Sequence, residues 1–392
     1  MAHISALSGI TAVRESEDET LSMFRDSVRK FMEAEVQPNA ARWREQKYVN
    51  KEVFKKAGDQ GFLCLWANEK YGGMGIDDWR FERVLEEEQA RVDSKGFFLG
   101  LHSRIVAPYI GTFGTEDQKS RYLTGAVSGE TILAIAMTEP GAGSDLAGMR
   151  STAIDKGDHW LLNGQKTYIS NGQICDLVIV AAKTDPENPR AIGLFLVEAA
   201  MDGFERGQNL DKMGMDANDT SELFFTDVKI PKTNELGDPK KGFRCLMAKL
   251  AEERLFATFG NLAWAEFAFD ETINFVKDRK VFGEALSQMQ NTRFKLGELR
   301  SRLDMMQAFT DRMIEMANNK SLGAELAASA KLLSSELLGD MVDEGVQLHG
   351  GAGYMEEYPI CRAYRDARVH RILAGTSEIM KEIVARKVLD GN

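Results

Sequence analysis

The stretch Ile132-Leu133-Ala134-Ile135-Ala136-Met137-Thr138-Glu139-Pro140-Gly141-Ala142-Gly143-Ser144-Asp145 sits where the texture of the chain changes. Six apolar residues in a row read as a short buried strand. The strand leaves into a loop of small residues in quick succession. Glycines there let backbone N–H groups approach a ligand, and such amides hold anions well. The dinucleotide fingerprint GxGxxG would need Gly at Leu146, and no GxxxxGK[ST] occurs. Two readings stand at this point: a tight turn without a ligand, or a ligand-holding loop.

Upstream of this stretch the sequence reads as helix. Leu21, Phe24, Val28, Phe31, Met32 and Val36 recur at three- and four-residue steps, which places them on one face. The segment 77–92 also reads as helix, and Tyr71-Gly72-Gly73-Met74-Gly75 as the loop before it. Downstream, short β-like segments follow at 159–162, 168–170, 177–182, 193–197 and 223–228. Asn163-Gly164 reads as a hairpin turn and Asn171-Gly172 as a second turn. Pro140, Pro186, Pro189 and Pro231 fall in this region, as expected of turns and strand edges. After Pro239 long amphipathic helices are expected over 241–276, 284–317 and 322–348, then a last one over 377–389. The chain is therefore read as helical, then β, then helical, an α+β multi-domain protein. The expected segments are 1–130, 131–240 (a barrel or sandwich) and 241–392.

The 392 residues suffice for a large core, and the apolar share of 43% is ordinary for a globular chain. The net charge of -11 is unlike that of a protein built to grip nucleic acid. Cys64, Cys175, Cys245 and Cys361 are far apart in sequence, and no histidine spacing suits a metal, so no metal site is expected. The cysteine usage suits a reducing compartment. No apolar run approaches the roughly 20 residues of a membrane span. Residues 1–12 lack a basic start and are followed by Glu15, Glu17, Asp18 and Glu19, which argues against a retained targeting peptide.

Four further motifs each carry two readings. Arg279-Lys280-Val281-Phe282-Gly283 is a helix C-cap with favourable cations, or a clamp for phosphate. Glu252-Glu253-Arg254 is a solvated face of a helix, or a buried carboxylate with a partner that sets its pKa. Gln347-Leu348-His349-Gly350-Gly351 is a helix boundary, as is Ala374-Gly375-Thr376-Ser377-Glu378, where Thr376 or Ser377 caps a start. Each boundary is simple loop geometry or a place for a phosphate-bearing ligand.

Taken in this order, these motifs resemble the acyl-CoA dehydrogenase family over nearly the whole chain, from about Leu21 to Leu389. Residues 136–145, Tyr168-Ile169-Ser170-Asn171-Gly172, Arg279 with Phe282-Gly283, Gln347 with Gly350-Gly351, and Gly375-Thr376 carry the resemblance. The long-chain type is most similar, through Leu250-Ala251-Glu252-Glu253-Arg254-Leu255, Gly353-Tyr354-Met355, Asp366-Ala367-Arg368-Val369 and Glu378-Ile379-Met380-Lys381-Glu382. The resemblance implies an N-terminal helical domain, a central β domain and a C-terminal four-helix bundle. It also implies FAD, a homotetramer, and α,β-dehydrogenation of a saturated acyl-CoA with electrons leaving through an electron-transfer flavoprotein.

Most family members carry a glutamate base immediately before the Gly-Thr pair. That position here is Ala374, which has no proton-accepting group. In the long-chain and isovaleryl branches the base precedes an arginine on a helix, and that position is Glu253, followed by Arg254. By resemblance Glu253 removes the α proton, Arg254 tunes the site, and the Ala374 N–H meets the thioester oxygen. Ser144 is implied as a substrate contact as well as a flavin contact. Met137, Thr138, Ser144, Tyr168 and Ser170 are implied against the flavin, Tyr168 standing where Trp is frequent. Arg279, Phe282, Gln290, Gln347 and Gly351 are implied to reach a neighbouring subunit's FAD, and Thr376 and Glu378 are implied to lie near the nucleotide half of the flavin. Glu378 stands where many relatives have Gln. An acyl-CoA oxidase is the alternative within enzymes, and a non-catalytic flavoprotein the alternative outside them. A bacterial cytoplasmic location is expected, ahead of a mitochondrial matrix.

Overall fold

The computed structural model describes residues 17–391 except Pro186 and Pro189. The sequence expectations for the first twelve residues and for these two prolines fall outside the described residues. In chain order the helices are α1 (Glu19–Phe31), α2 (Ala40–Gln46), α3 (Lys51–Asp59), α4 (Trp79–Arg91), α5 (Ala107–Phe113), α6 (Glu116–Gln118) and α7 (Thr124–Ser128). Strands follow: β1 (Leu133–Ala136), β2 (Thr152–Asp155), β3 (His159–Ser170), β4 (Leu177–Lys183), β5 (Ile192–Glu198), β6 (Phe204–Asn209) and β7 (Thr220–Pro231). Then come α8 (Gly242–Asp278), a ribbon of β8 (Lys280–Val281) and β9 (Glu284–Ala285), α9 (Gln290–Asn318), α10 (Ala324–His349), α11 (Pro359–Ala367) and α12 (Ser377–Asp390). The helical–β–helical order is the one the texture predicts.

The described residues divide into two compact units, 17–30 with 79–93 and 251–391, and 31–78 with 94–250. In the β-containing unit, seven strands form one sheet in the order β1-β4-β2-β3-β7-β6, with β5 on β4. Strands β4 and β5 are buried almost end to end, so their sequences show apolar runs instead of alternation. The pleat nonetheless sorts their residues. Leu177, Ile179 and Ala181 pack with Leu194 and Leu196 against Tyr109, Ile110 and Leu123 of the helical layer. Val178, Val180 and Ala182 pack with Phe195 and Val197 against Trp160, Leu223 and Phe225 of the curled half of the sheet. β1 lies parallel to β4, pairing Leu133 with Leu177 and Ala136 with Val180. This register fixes where the chain emerges after Ala136.

The helical unit is built on one core. Leu262, Ala265 and Phe269 of α8 meet Leu296, Leu303 and Met306 of α9 and Leu337, Met341 and Val342 of α10. Helix α4 carries a run of buried charges, including Glu87 and Glu88. Arg25 of α1 answers them, bonding Glu88 at 3.0 Å and Glu87 at 2.7 Å.

Two local expectations are corrected. Asn163-Gly164 is no hairpin turn; β3 runs through it, with a register irregularity against β7 between Leu162 and Gly164. Asn163 is held in the strand because its Nδ2 donates to Asp227 Oδ1 at 3.0 Å and its Oδ1 accepts from the Asp227 N–H at 2.9 Å. Gly164 serves close packing, since a Cβ there would lie 2.2 Å from Ser151 Oγ at a φ of +152°. The helix expected over 284–317 begins at Gln290, because Phe282 and Gly283 take positive φ and fold Glu284-Ala285 back on Lys280-Val281. Strands β2 and β6 and helix α11 had no counterpart in the sequence reading.

Substituting Gly164→Ala should therefore destabilise the β-containing unit by about 1–3 kcal/mol, through overpacking against Ser151 and the strained φ. The thermal midpoint checks it, and an unchanged midpoint contradicts the bulge account.

Candidate active site

In the β-containing unit, β1 delivers Met137 and Thr138 into the small-residue loop. Lys166 and Glu139 organise that loop. Lys166 Nζ, wholly buried, donates to Glu139 Oε1 at 2.8 Å and to the Met137 carbonyl at 3.1 Å. Glu139 also accepts the N–H groups of Arg150 at 2.5 Å and Ser151 at 3.0 Å. Burial pushes the Glu139 carboxyl upward, but Lys166 and these hydrogen bonds outweigh it and hold the group below the usual carboxylate range. The Thr167 N–H reaches the Thr138 carbonyl at 3.0 Å, so Tyr168 and Ser170 belong to the same corner as Met137 and Thr138. Tyr168 takes a positive φ of 59° and leaves its ring exposed. Ser144 is exposed on the loop, and Cβ atoms at Gly141 and Gly143 would meet open space. An exposed aromatic beside open backbone amides fits a planar, phosphate-bearing cofactor.

The turn after β3 is fixed separately. Asp219, buried, accepts the Gln173 N–H at 2.6 Å, and Arg206 donates to the Gly172 and Cys175 carbonyls at 3.1 and 2.7 Å. Burial raises the Asp219 carboxyl to about 6.

In the helical unit, Glu253 and Arg254 occupy one turn of α8, and both are about 95% buried. The solvated-face reading of this charge run is thereby excluded. Burial lowers the Arg254 guanidinium pKa, and the charge of Glu253 opposes that shift. Arg254 Nε has no hydrogen-bond partner among the described residues. A carboxylate buried on a rigid helix is positioned for general-base chemistry.

Ala374 and Gly375 form the turn before α12, with φ of 54° and 92°. A positive φ is costly for alanine and aims its N–H in a direction that ordinary backbone does not reach. Thr376 caps α12, its hydroxyl accepting the Ile379 N–H at 3.3 Å. Lys331 of α10, wholly buried, donates to the Gly375 carbonyl at 2.6 Å. Glu378 is exposed, and hydrogen bonds from its own N–H and from Thr376 hold its carboxyl below the usual range. Its charge is thus accounted for by the helix start.

Arg279, Phe282 and Gln290 lie on or beside the β8–β9 ribbon, all exposed, with the Phe282 ring wholly so. Gln347 and Gly351 flank the end of α10, also exposed. The stacking of His349 on Phe275, with centroids 4.1 Å apart, ties the end of α10 to the end of α8. The predicted residues therefore fall into one corner of the β-containing unit and, in the helical unit, the α8 pair, the α12 turn and the two exposed ends.

The sequence reading missed Lys166, Glu139 as an organiser, Asp219 and Lys331. Lys331 had a signal. It shares the face of Ala327, Ala330, Ser334, Leu338 and Met341 at helical spacing, so the periodicity that marks the core also buries a lysine.

Residues 18–130, 134–228 and 240–389 match the N-terminal, middle and C-terminal domains of acyl-CoA dehydrogenase, and the chain belongs to that family. It is an oxidoreductase of an FAD-dependent family that works in fatty acid oxidation. The chain is 46% identical over 384 residues to the mitochondrial long-chain specific acyl-CoA dehydrogenase of Mus musculus, covering 97% of this chain and 88% of that one. Its structure resembles an acyl-CoA dehydrogenase from Geobacillus kaustophilus, with a TM-score of 0.93 and 44% identity, over 96% of this chain and 99% of that one. It also resembles a glutaryl-CoA dehydrogenase from Mycobacterium smegmatis in complex with FADH2, with a TM-score of 0.90 and 27% identity, over 100% and 99% of the two chains.

Lys166→Met should leave the Glu139 carboxylate buried with only amide partners. The expected cost is about 3–5 kcal/mol with lower flavin occupancy. Because the folded pKa of Glu139 is depressed, its contribution in the wild type is present above the ordinary carboxylate pKa and is lost as pH falls through the folded value. Thermal midpoints of the two proteins should accordingly converge in acid. A constant difference down to the acid limit contradicts this assignment.

Proposed function

We propose that the protein catalyses α,β-dehydrogenation of a saturated acyl-CoA to the trans-2-enoyl-CoA, with Glu253 as the base. The observation that carries this reading is the burial of Glu253 beside Arg254 in a chain whose position 374 has no acid. A carboxylate is needed at a point in space, and α8 supplies it where the α12 turn does not. Bound FAD supplies the hydride acceptor for the β hydrogen.

Glu253 takes the α proton. As it leaves, negative charge grows on the thioester oxygen, and the Ala374 N–H is the donor preorganised for it. Arg254 favours the ionised carboxylate through its charge and, with Ser144, helps to position the substrate. Met137, Thr138, Ser144, Tyr168 and Ser170 hold the flavin within the subunit, with Thr376 and Glu378 near its nucleotide half. Arg279, Phe282, Gln290, Gln347 and Gly351 reach the FAD of a second copy in a homotetramer. Their exposure, and above all that of the Phe282 ring, supports this role. Electrons leave to an electron-transfer flavoprotein, and oxygen is a poor acceptor. A long acyl chain is the preferred substrate, by similarity to the mouse enzyme. The four cysteines are free, in keeping with a bacterial cytoplasm. Among the described residues no helix is long and apolar enough to cross a membrane.

Glu253→Gln should lower turnover by about 10³-fold while FAD stays bound. Turnover within threefold of wild type sinks the base assignment. Placing Ala374→Glu in that background should restore part of the activity, since the two positions serve one substrate carbon. The acceptor is read by stopped flow: reduced enzyme should reoxidise faster with electron-transfer flavoprotein than with oxygen, and the reverse order assigns an oxidase.

A further inference from the structure

Lys331 is a buried amine with no role in the chemistry just described. It is wholly inaccessible, and a lysine in that position is rare unless something demands it. Among the described residues its Nζ has one hydrogen-bond partner, the Gly375 carbonyl at 2.6 Å. Among the described residues no carboxylate lies within salt-bridge distance of it. Burial first, and then the charge of Arg254, bring its pKa down to about 8, while Glu336 and Glu378 act in the opposite direction. The fold thus places a cation in its interior, near a second buried cation, to grip one backbone oxygen.

That oxygen belongs to the Gly375–Thr376 peptide, two peptide units beyond the one that carries the Ala374 N–H. Both residues of the turn have positive φ, and neither conformation is held by local helix or strand bonding. Thr376 fixes the far side of the turn by capping α12, and Ser377 Oγ donates to Glu336 Oε1 at 2.8 Å. Glu336 is in turn bridged by Arg371 at 2.9 Å. Lys331 holds the carbonyl that joins Gly375 to this cap. The lysine itself is anchored toward α8: Ser334 Oγ donates to the Lys331 carbonyl at 3.2 Å and accepts from Asn261 Nδ2 at 2.9 Å. Asn261 lies two helical turns beyond Arg254 on α8. One hydrogen-bonded path therefore links the helix bearing Glu253 to the turn bearing Ala374.

We propose that Lys331 is a positioning residue of the active site, clamping the Gly375 carbonyl so that the Ala374 N–H stays aimed at the thioester oxygen. This rests on the reading of Ala374 and Glu253 given above. Loss of the clamp leaves the donor in place but free to rotate. An N–H bond that strengthens as charge develops matters more to the transition state than to the bound substrate. The loss should therefore fall on kcat and spare KM.

The test uses the FAD-loaded enzyme mixed anaerobically with a saturated acyl-CoA, followed by flavin bleaching and normalised to bound flavin. Lys331→Met should bleach at least tenfold more slowly than wild type, with KM within threefold. Bleaching within twofold of wild type overturns the proposal, because a lysine that only supported the fold would change flavin content and melting, not the rate per bound flavin. Should Lys331→Met lose its flavin, Lys331→Ala assayed with added ethylammonium decides. Saturable recovery of the rate supports the clamp, and absence of recovery overturns it. A wild-type enzyme that no acyl-CoA bleaches removes the dehydrogenase reading and this inference together. Normal bleaching by both wild type and Lys331→Met removes this inference alone.

Discussion

The helical unit turns on the burial of charge. Glu253, Arg254 and Lys331 are buried in the helical unit, whose core is largely apolar. An ion taken from water into such a medium costs several kcal/mol even after relaxation. Burial lowers the Lys331 pKa, and repulsion from Arg254 adds to the shift. Replacing such groups with apolar side chains of similar volume is often neutral or stabilising. Their presence therefore points to chemistry and not to stability. The long core helix α8 is what makes the arrangement possible, since a rigid element can hold a carboxylate where a loop would let it turn to water.

The same logic governs the small-residue loop of the β-containing unit. There the buried ions are opposite in sign and share hydrogen bonds, so Lys166 and Glu139 are stable as a pair and hold the Met137 carbonyl and the amides of Arg150 and Ser151 in place. Glycine and alanine then need do no more than stay small and leave the loop's outer side open. Backbone in unusual conformations appears at both sites, at Tyr168, Ala374 and Gly375. Each is held from outside the local segment, which is how strain persists at functional positions.

The sequence showed the helical–β–helical order because hydrophobic period reports which faces are buried. Helices α8, α10 and α12 fell close to their expected positions for that reason. It failed at Asn163-Gly164, where a turn-like pair is held in a strand by the side chain of Asp227, a residue 64 positions away. It also failed at Glu284-Ala285, where two residues of positive φ fold the chain back before α9. The carboxylate at 253 was legible through a resemblance, since spacing alone gave a solvated face. Lys166 and Lys331 carry no motif. Their partners are a strand end and a turn far away in sequence, and only packing brings them together.

The most direct measurement is chemical. The central claim is that the carboxylate facing the substrate's reacting carbons belongs to position 253. An acyl-CoA with an alkyne at C2–C3 presents an electrophile at those carbons, and the nearest carboxylate should add to it as an ester. After proteolysis and mass spectrometry, the account predicts the adduct on Glu253, formed in step with loss of activity and blocked by saturated acyl-CoA. An adduct on another residue, with Glu253 unmodified and activity gone, would contradict it.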